Sequence, residues 1–148
     1  MAYRTNISIF LPNGPPNPLL DAYRILVAIE LALKDVGFNG GTSGHDIPSM
    51  LTQAATQAAT LHPMVASQLI AHQAKLKADL CQLTCNNKMI QPASVSANNY
   101  PHARYTRFTG DWNGIGETPH QSIVVLAQTC NGLLAHLQTH KAILGINL

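Results

Sequence analysis

The longest regular pattern of apolar residues begins at Leu19 and continues to Val36. Asn17 and Pro18 precede it, and this pair is typical of a helix start because asparagine caps free amide groups and proline favours the first helical position. Gly37 follows it and predicts the helix end, since glycine adopts the left-handed conformation of a C-terminal cap. Apolar residues surround almost the whole predicted helix. We therefore expect it to lie at the centre of the fold or of an oligomer.

The segment before this helix has a different pattern. Residues 3–11 alternate between two sides, with Ile7 and Ile9 on the same side, which predicts a strand. Four prolines between residues 12 and 18 exclude a helix or a central strand there. We expect residues 1–16 to form an extended arm whose strand pairs either within its own chain or with another subunit.

A glycine-rich loop at 37–46 leads to a second predicted helix, with Asp46 placed to cap it. Residues 52–60 repeat alanine, glutamine and threonine, which favours a helix over a strand. Its small side chains would let another helix approach closely. The alternative is a loosely ordered polar helix that packs only through Met50, Leu51 and Leu61.

Pro63 opens a third predicted helix, which ends near Cys85. Its apolar residues fall into two stripes on roughly opposite sides. The first stripe is Val65, Leu69, Leu76, Leu80 and Leu83, and the second is Ile70, Ala74, Ala78, Cys81 and Cys85. A helix with two apolar faces lies between two partners, and the second partner can be another subunit.

The connection at residues 86–117 has no helical period, and its length favours a functional segment or an arm. Residues 104–108 alternate and predict a short strand that could pair with residues 3–10. Trp112 lies in a glycine-rich turn, either as a binding anchor or as a plug for the end of the bundle.

The last predicted helix starts at a capping-box pattern, Thr118 to Gln121, and continues to about Leu144. Gly145 ends it and leaves an apolar tail of three residues. The inward positions are expected to be Ile123, Ala127, Cys130, Leu134, Leu137 and Leu144.

The pattern as a whole predicts a mainly α fold, a bundle of three long helices plus a weaker alanine-rich helix. The N-terminal β arm and a short second strand are the expected minor elements. The domain organisation that follows is an arm at 1–16 and a single helical domain at 17–148, which contains the irregular connection.

The amino-acid composition indicates whether the surface of this domain faces solvent or other protein. Only 11% of the residues are charged, whereas about 25% is usual. Since charge keeps monomers soluble and apart, we expect other protein to cover this chain. A net charge of +2 without clustering does not favour nucleic-acid binding. The start of the chain lacks a signal-peptide pattern, no apolar stretch is long enough to span a membrane, and three cysteines favour a reduced compartment.

Two pairs of residues at helical i, i+4 spacing deserve comparison with metal sites. Cys81 and Cys85 on one helix and His136 and His140 on another could form a tetrahedral Cys2His2 site if the helices were neighbours. The spacing is not that of a zinc finger, and the cysteines also fit an apolar stripe as small hydrophobic residues.

No hydrolase motif or close carboxylate pair is present. We predict no metal, no cofactor and no enzymatic activity.

The function most consistent with these features is that of a structural subunit in a homo-oligomeric assembly, of the neck, tail, baseplate or capsid-decoration type found in phage virions. The alternatives are a helical module that binds a protein or small ligand, and a metal-dependent enzyme. The expected partners are further copies of the chain and neighbouring assembly proteins, without membrane or nucleic acid, in a virion or the cytoplasm. The expected interface residues are Ile7, Ile9, Ile70, Ala74, Trp112, Ile146 and Leu148.

Overall fold

The protein is mainly helical. The computed structural model describes residues 7, 11–12, 17–86, 89–90, 100–101, 107–108 and 121–148. Its elements in chain order are α1 (Pro18–Asp35), α2 (Ile47–Ala58), α3 (Pro63–Asn86), β1 (Met89–Ile90), β2 (Arg107–Phe108), α4 (Gln121–Thr139) and α5 (Lys141–Leu144). The predicted helical bundle is confirmed, whereas the predicted strand of the N-terminal arm lies outside the described residues.

The boundaries of α1 follow the predicted signals. The Asn17 side chain accepts a hydrogen bond of 3.1 Å from the Leu20 amide, and Pro18 occupies the first helical position. Gly37 has a φ of 96°, which a residue with a side chain adopts only under strain. Local chemistry therefore sets both ends of this helix.

The expected central position of α1 is confirmed on one side of the helix, whereas burial of its other apolar stripe in an oligomer stays a prediction. Ile25, Ile29 and Leu33 are fully buried in the core, but Leu20 and Leu31 are exposed. α1 packs mainly on α4, and its remaining side is open among the described residues. The sequence pattern could not show this, because it counts apolar residues without locating their neighbours.

α2 packs closely along α3. Asp46 caps α2 by accepting a hydrogen bond of 3.0 Å from the Ser49 amide, as predicted. Ala54, Ala55 and Ala58 are all buried, so the small residues do permit close helix contact. The alternative of a loosely packed polar helix is wrong, and Leu61, which would have anchored it, is 80% exposed.

α3 and α4 run antiparallel and share the core with α1. Two contacts fix their register: the ring of His72 lies against that of His136, and the Thr129 hydroxyl donates a hydrogen bond to Asp79. The first predicted stripe of α3 is buried where its side chains are described, as are most predicted inward positions of α4. The largest fully buried side chains are Tyr100, Ile25, Ile29, Leu33, Ile47, Met50, Leu51, Leu69, Leu76, Leu80 and Ile123.

The prediction of one continuous last helix is wrong at His140. α4 ends at Thr139, and the short α5 begins at Lys141. The Thr139 hydroxyl donates to the Ala135 carbonyl at 2.8 Å, a back-bond that bends helices and competes with their regular hydrogen bonds. The predicted end at Gly145 is confirmed, with a φ of 70° in the left-handed region.

The predicted strand around residues 104–108 exists at Arg107 and Phe108, and its partner among the described residues is β1. The predicted pairing with residues 3–10 falls largely outside the described residues. β2 pairs antiparallel with β1, with Met89 opposite Phe108 and Ile90 opposite Arg107. Both strands belong to the same connection, so a shorter loop closes this pairing than one with the N-terminal segment. Ile7, the residue of 3–10 that the structure describes, is buried in the core of its own chain.

The substitution Gly40→Ala tests how tightly the loop before α2 is packed. A Cβ atom there would lie 2.2 Å from the Gly44 carbonyl oxygen, which is backbone and cannot move aside cheaply. We expect Gly40→Ala to lower the free energy of unfolding by about 1–3 kcal/mol, the range for overpacking. Thermal unfolding followed by circular dichroism measures the change.

Gly132→Ala is the matched control, because a Cβ atom at Gly132 in α4 meets no atom within 4 Å. It should stabilise the protein by up to about 1 kcal/mol through helix propensity. Equal changes in the free energy of unfolding for the two substitutions would contradict tight packing of the loop at Gly40.

Candidate functional site

The side of α3 that points away from the core is the strongest candidate for a functional surface. Ala78 lies about 180° around the helix from the buried Leu69, at ~100° per residue. The exposed residues on this side are Met64, Ser67, Ile70, Ala71, Ala74, Ala78 and Cys81. We refer to these seven residues as the outer face of α3.

Five of the seven residues of the outer face, Met64 to Ala74, lie in an uncharged part of the chain. No Asp, Glu, Lys or Arg occurs between residues 47 and 74, which span α2 and the first half of α3. Large apolar side chains are nevertheless exposed here, with Leu61 at 80%, Met64 at 73% and Ile70 at 44%. Large apolar side chains exposed without neighbouring charges are candidates for contact with another molecule.

The structure divides the seven predicted interface residues into three groups. Ile70 and Ala74 are exposed on the outer face of α3. Ile7 and Ile146 are buried in the core of their own chain, and Leu148 is partly buried against it, so the apolar tail docks within the subunit. Ile9 and Trp112 lie outside the described residues.

The predicted cysteine and histidine pairs are not brought together in the described part of the molecule. Because α3 and α4 are antiparallel, His72 lies opposite His136. Cys81 is exposed nine residues further along α3, a distance of roughly 13 Å at 1.5 Å per residue. The side chain of Cys85 is outside the described set. Within that set, no group of three or more His, Cys, Asp or Glu side chains is arranged to hold a metal ion.

His136 and His140 instead form a row with His72. The ring centroids of His72 and His136 are 4.8 Å apart, and those of His136 and His140 are 4.6 Å apart. The half-buried ring of His72 thus contacts another imidazole. Burial lowers the pKa of His72.

A buried carboxylate forms the second polar cluster, and sequence reasoning missed it. Glu30 of α1 is only 6% exposed. It accepts hydrogen bonds of 2.7 Å from Lys34 Nζ and from His45 Nδ1 and a further one from the Tyr100 hydroxyl. Since an ionised carboxylate only accepts, the proton of the His45 bond lies on Nδ1.

These donors decide the charge state of Glu30. Burial raises the pKa of its carboxyl, but hydrogen bonds from Lys34, Tyr100 and His45 together lower the pKa below the ordinary value of 4.5. Lys34 at i+4 was visible in the sequence as a helical ion pair. His45 and Tyr100 lie 15 and 70 residues away, and no local pattern links them to Glu30.

The remaining reactive group to consider in the described part of the core is the thiol of Cys130. Cys130 is fully buried in the core, and burial, with the nearby Asp79 charge, raises the pKa of its thiol. A buried neutral thiol is a poor nucleophile. The groove between α3 and α4 has a volume of about 160 Å³, whereas small-molecule sites usually have about 300–1,000 Å³. It is lined by His72, Lys75, Val125, Gln128, Thr129 and Gly132.

Comparison with known proteins gives no relative for this chain. No protein-family model, curated protein or solved structure matches it significantly. None of the described helices is both long and apolar enough to cross a membrane.

Glu30→Gln tests whether the buried carboxylate stabilises the fold through its charge. At neutral pH we expect a loss of about 1–3 kcal/mol, the value for hydrogen bonds to a charged group. Because the pKa of Glu30 is lowered by folding, its contribution is complete above the unfolded value of 4.5 and is lost as the pH falls through the folded value. Urea unfolding at a series of pH values measures both effects.

Asp35→Asn is the control for this experiment, since it removes an acid from the same helix without touching the cluster. The stabilities of wild type and Glu30→Gln should converge below pH 4.5. A stability difference that stays constant down to low pH would show that the charge of Glu30 has no part in it.

Proposed function

We propose that this protein is a structural subunit of a homo-oligomeric assembly and that the outer face of α3 is a contact between copies. The observation that carries this proposal is the exposed, uncharged outer face with its large apolar side chains at one end. The inner stripe of the same helix is buried in the core, whereas the outer face packs against no other described element of the subunit.

The composition of the outer face fits a second copy of the same chain. Ser67, Ala71, Ala74 and Ala78 follow one another at helical spacing, and their small size lets two backbones approach closely. Charges begin only at Lys75. A symmetric antiparallel contact centred near Ala71 would place Lys75 opposite Ser67 and would therefore avoid pairing like charges. Met64 would then face Ala78, a large residue against a small one.

The proposed class of assembly is a virion component of the neck, tail, baseplate or decoration type. Support for it comes from the sequence: low charge, a proline-rich N-terminal segment and a long connection rich in Asn and Ser. Neighbouring assembly proteins are then the expected further partners. A binding module for another protein would use the same face, and the oligomeric state distinguishes these two functions.

Ala74→Glu tests the proposal, because it places a charge at the centre of the outer face without changing the core. Size-exclusion chromatography with light scattering should show a discrete oligomer for the wild type. The variant should dissociate at least tenfold more readily, about 1.4 kcal/mol of association free energy, because a charge in a contact without a partner is costly. Its helical circular dichroism should not change.

Ala135→Glu is the matched control, since Ala135 is exposed on α4 and lies away from the outer face. It should leave the oligomer intact. A wild-type protein that stays monomeric at high concentration would overturn the proposed function. Deletion of residues 1–16 is less informative, because it also removes the buried Ile7 from the core.

A further inference from the structure

The row formed by His72, His136 and His140 has an unusual electrostatic setting. His136 lies between the other two rings, with centroid distances of 4.8 Å and 4.6 Å. Its Nε2 atom is buried and has no hydrogen-bond partner among the described residues. A neutral imidazole tolerates this position, whereas a protonated one would place a charged N–H donor without a partner at this buried nitrogen.

The charged groups of the packed elements do not compensate for such a charge. On α3, Lys75 lines the same groove as His72, and Asp79 is engaged by Thr129 and Lys75. α2 contains no charged residue, and Lys141 of α5 follows His140. On α1, Glu30 is surrounded by its own donors. The ring contacts of His136 among the described residues are with two more imidazoles, which repel it if they are protonated.

We propose that this histidine row is an acid-sensitive latch: its neutral rings hold the C-terminal end of α4 against α3, and protonation releases that end. The latch concerns the packing inside one subunit and does not depend on the proposed assembly. The histidine row lies where the helix is interrupted at His140, between α4 and α5. α5 contacts both α4 and α2.

The direction of the pH effect follows from the preference of the folded state for neutral rings. Burial, together with the positive charges that His72 and His140 can carry, lowers the pKa of His136 from 6.5 to about 4. The open or unfolded chain takes up its proton near pH 6.5, but the closed latch does so only near pH 4. The stability that the latch contributes is complete above pH 6.5 and is lost as the pH falls from there towards 4.

Two measurements on the wild-type protein test the latch. Nuclear magnetic resonance of the imidazole groups gives the pKa of His136, which should lie well below 6.5. Amide hydrogen exchange, corrected for intrinsic rates, should show that opening of the C-terminal half of α4 and of α5 increases on the order of tenfold from pH 7 to pH 5. Amides of α1 and α2 should change much less.

Variants separate the latch from a general loss of stability. His136→Gln removes the central titrating group, so the increase in local opening at pH 5 should be much smaller than in the wild type. His140→Gln removes one like-charged neighbour and should raise the pKa of His136, an effect that a purely structural role would not produce. His62→Gln is the control, because His62 is half-buried at the start of α3 and has no ring contact with the row.

Three results would overturn the latch. The first is an ordinary pKa near 6.5 for His136. The second is an acid response of His136→Gln equal to that of the wild type. The third is opening at pH 5 that spreads evenly over all helices.

Discussion

The buried carboxylate of Glu30 joins parts of the chain that no helix connects. Its donors come from α1 itself, from the loop before α2 and from the long connection between α3 and α4. A buried charge is tolerated only when it is fully hydrogen-bonded, so these three segments must keep their positions together. Tyr100 also packs its ring against Tyr23 and His45. One polar cluster thus ties His45 and Tyr100 to the helical core.

The scarcity of charge has two consequences in this fold. Inside, the few acids are engaged: Glu30 holds its three donors, and Asp79 ties α3 to α4 through Thr129. Outside, the stretch from residue 47 to residue 74 has no formal charge. The part of the outer face of α3 from Met64 to Ala74 therefore lacks the charges that keep monomers apart. This is the physical basis for proposing a contact between copies of the chain.

The two polar clusters of the bundle differ in their hydrogen bonding, and this difference indicates different roles for Glu30 and for His136. Glu30 has enough donors to stay ionised, which is typical of a permanent structural tie. His136 has neighbours of its own kind and a buried nitrogen without a partner. Such a group stabilises packing only while it is neutral. We infer that the first cluster makes the fold rigid and the second makes one end of it responsive to acid.

The sequence by itself determined the elements whose signals are local. Capping and backbone geometry depend on neighbouring residues only. They mark the helix ends at Asn17, Pro18, Asp46, Pro63 and Gly145. Periodicity also separated the two faces of α3. Only the tertiary structure decided which segments meet: Tyr100 with Glu30, β2 with β1, and His72 rather than a cysteine with His136. These contacts depend on helix register and loop closure across distant parts of the chain, and no local pattern encodes either.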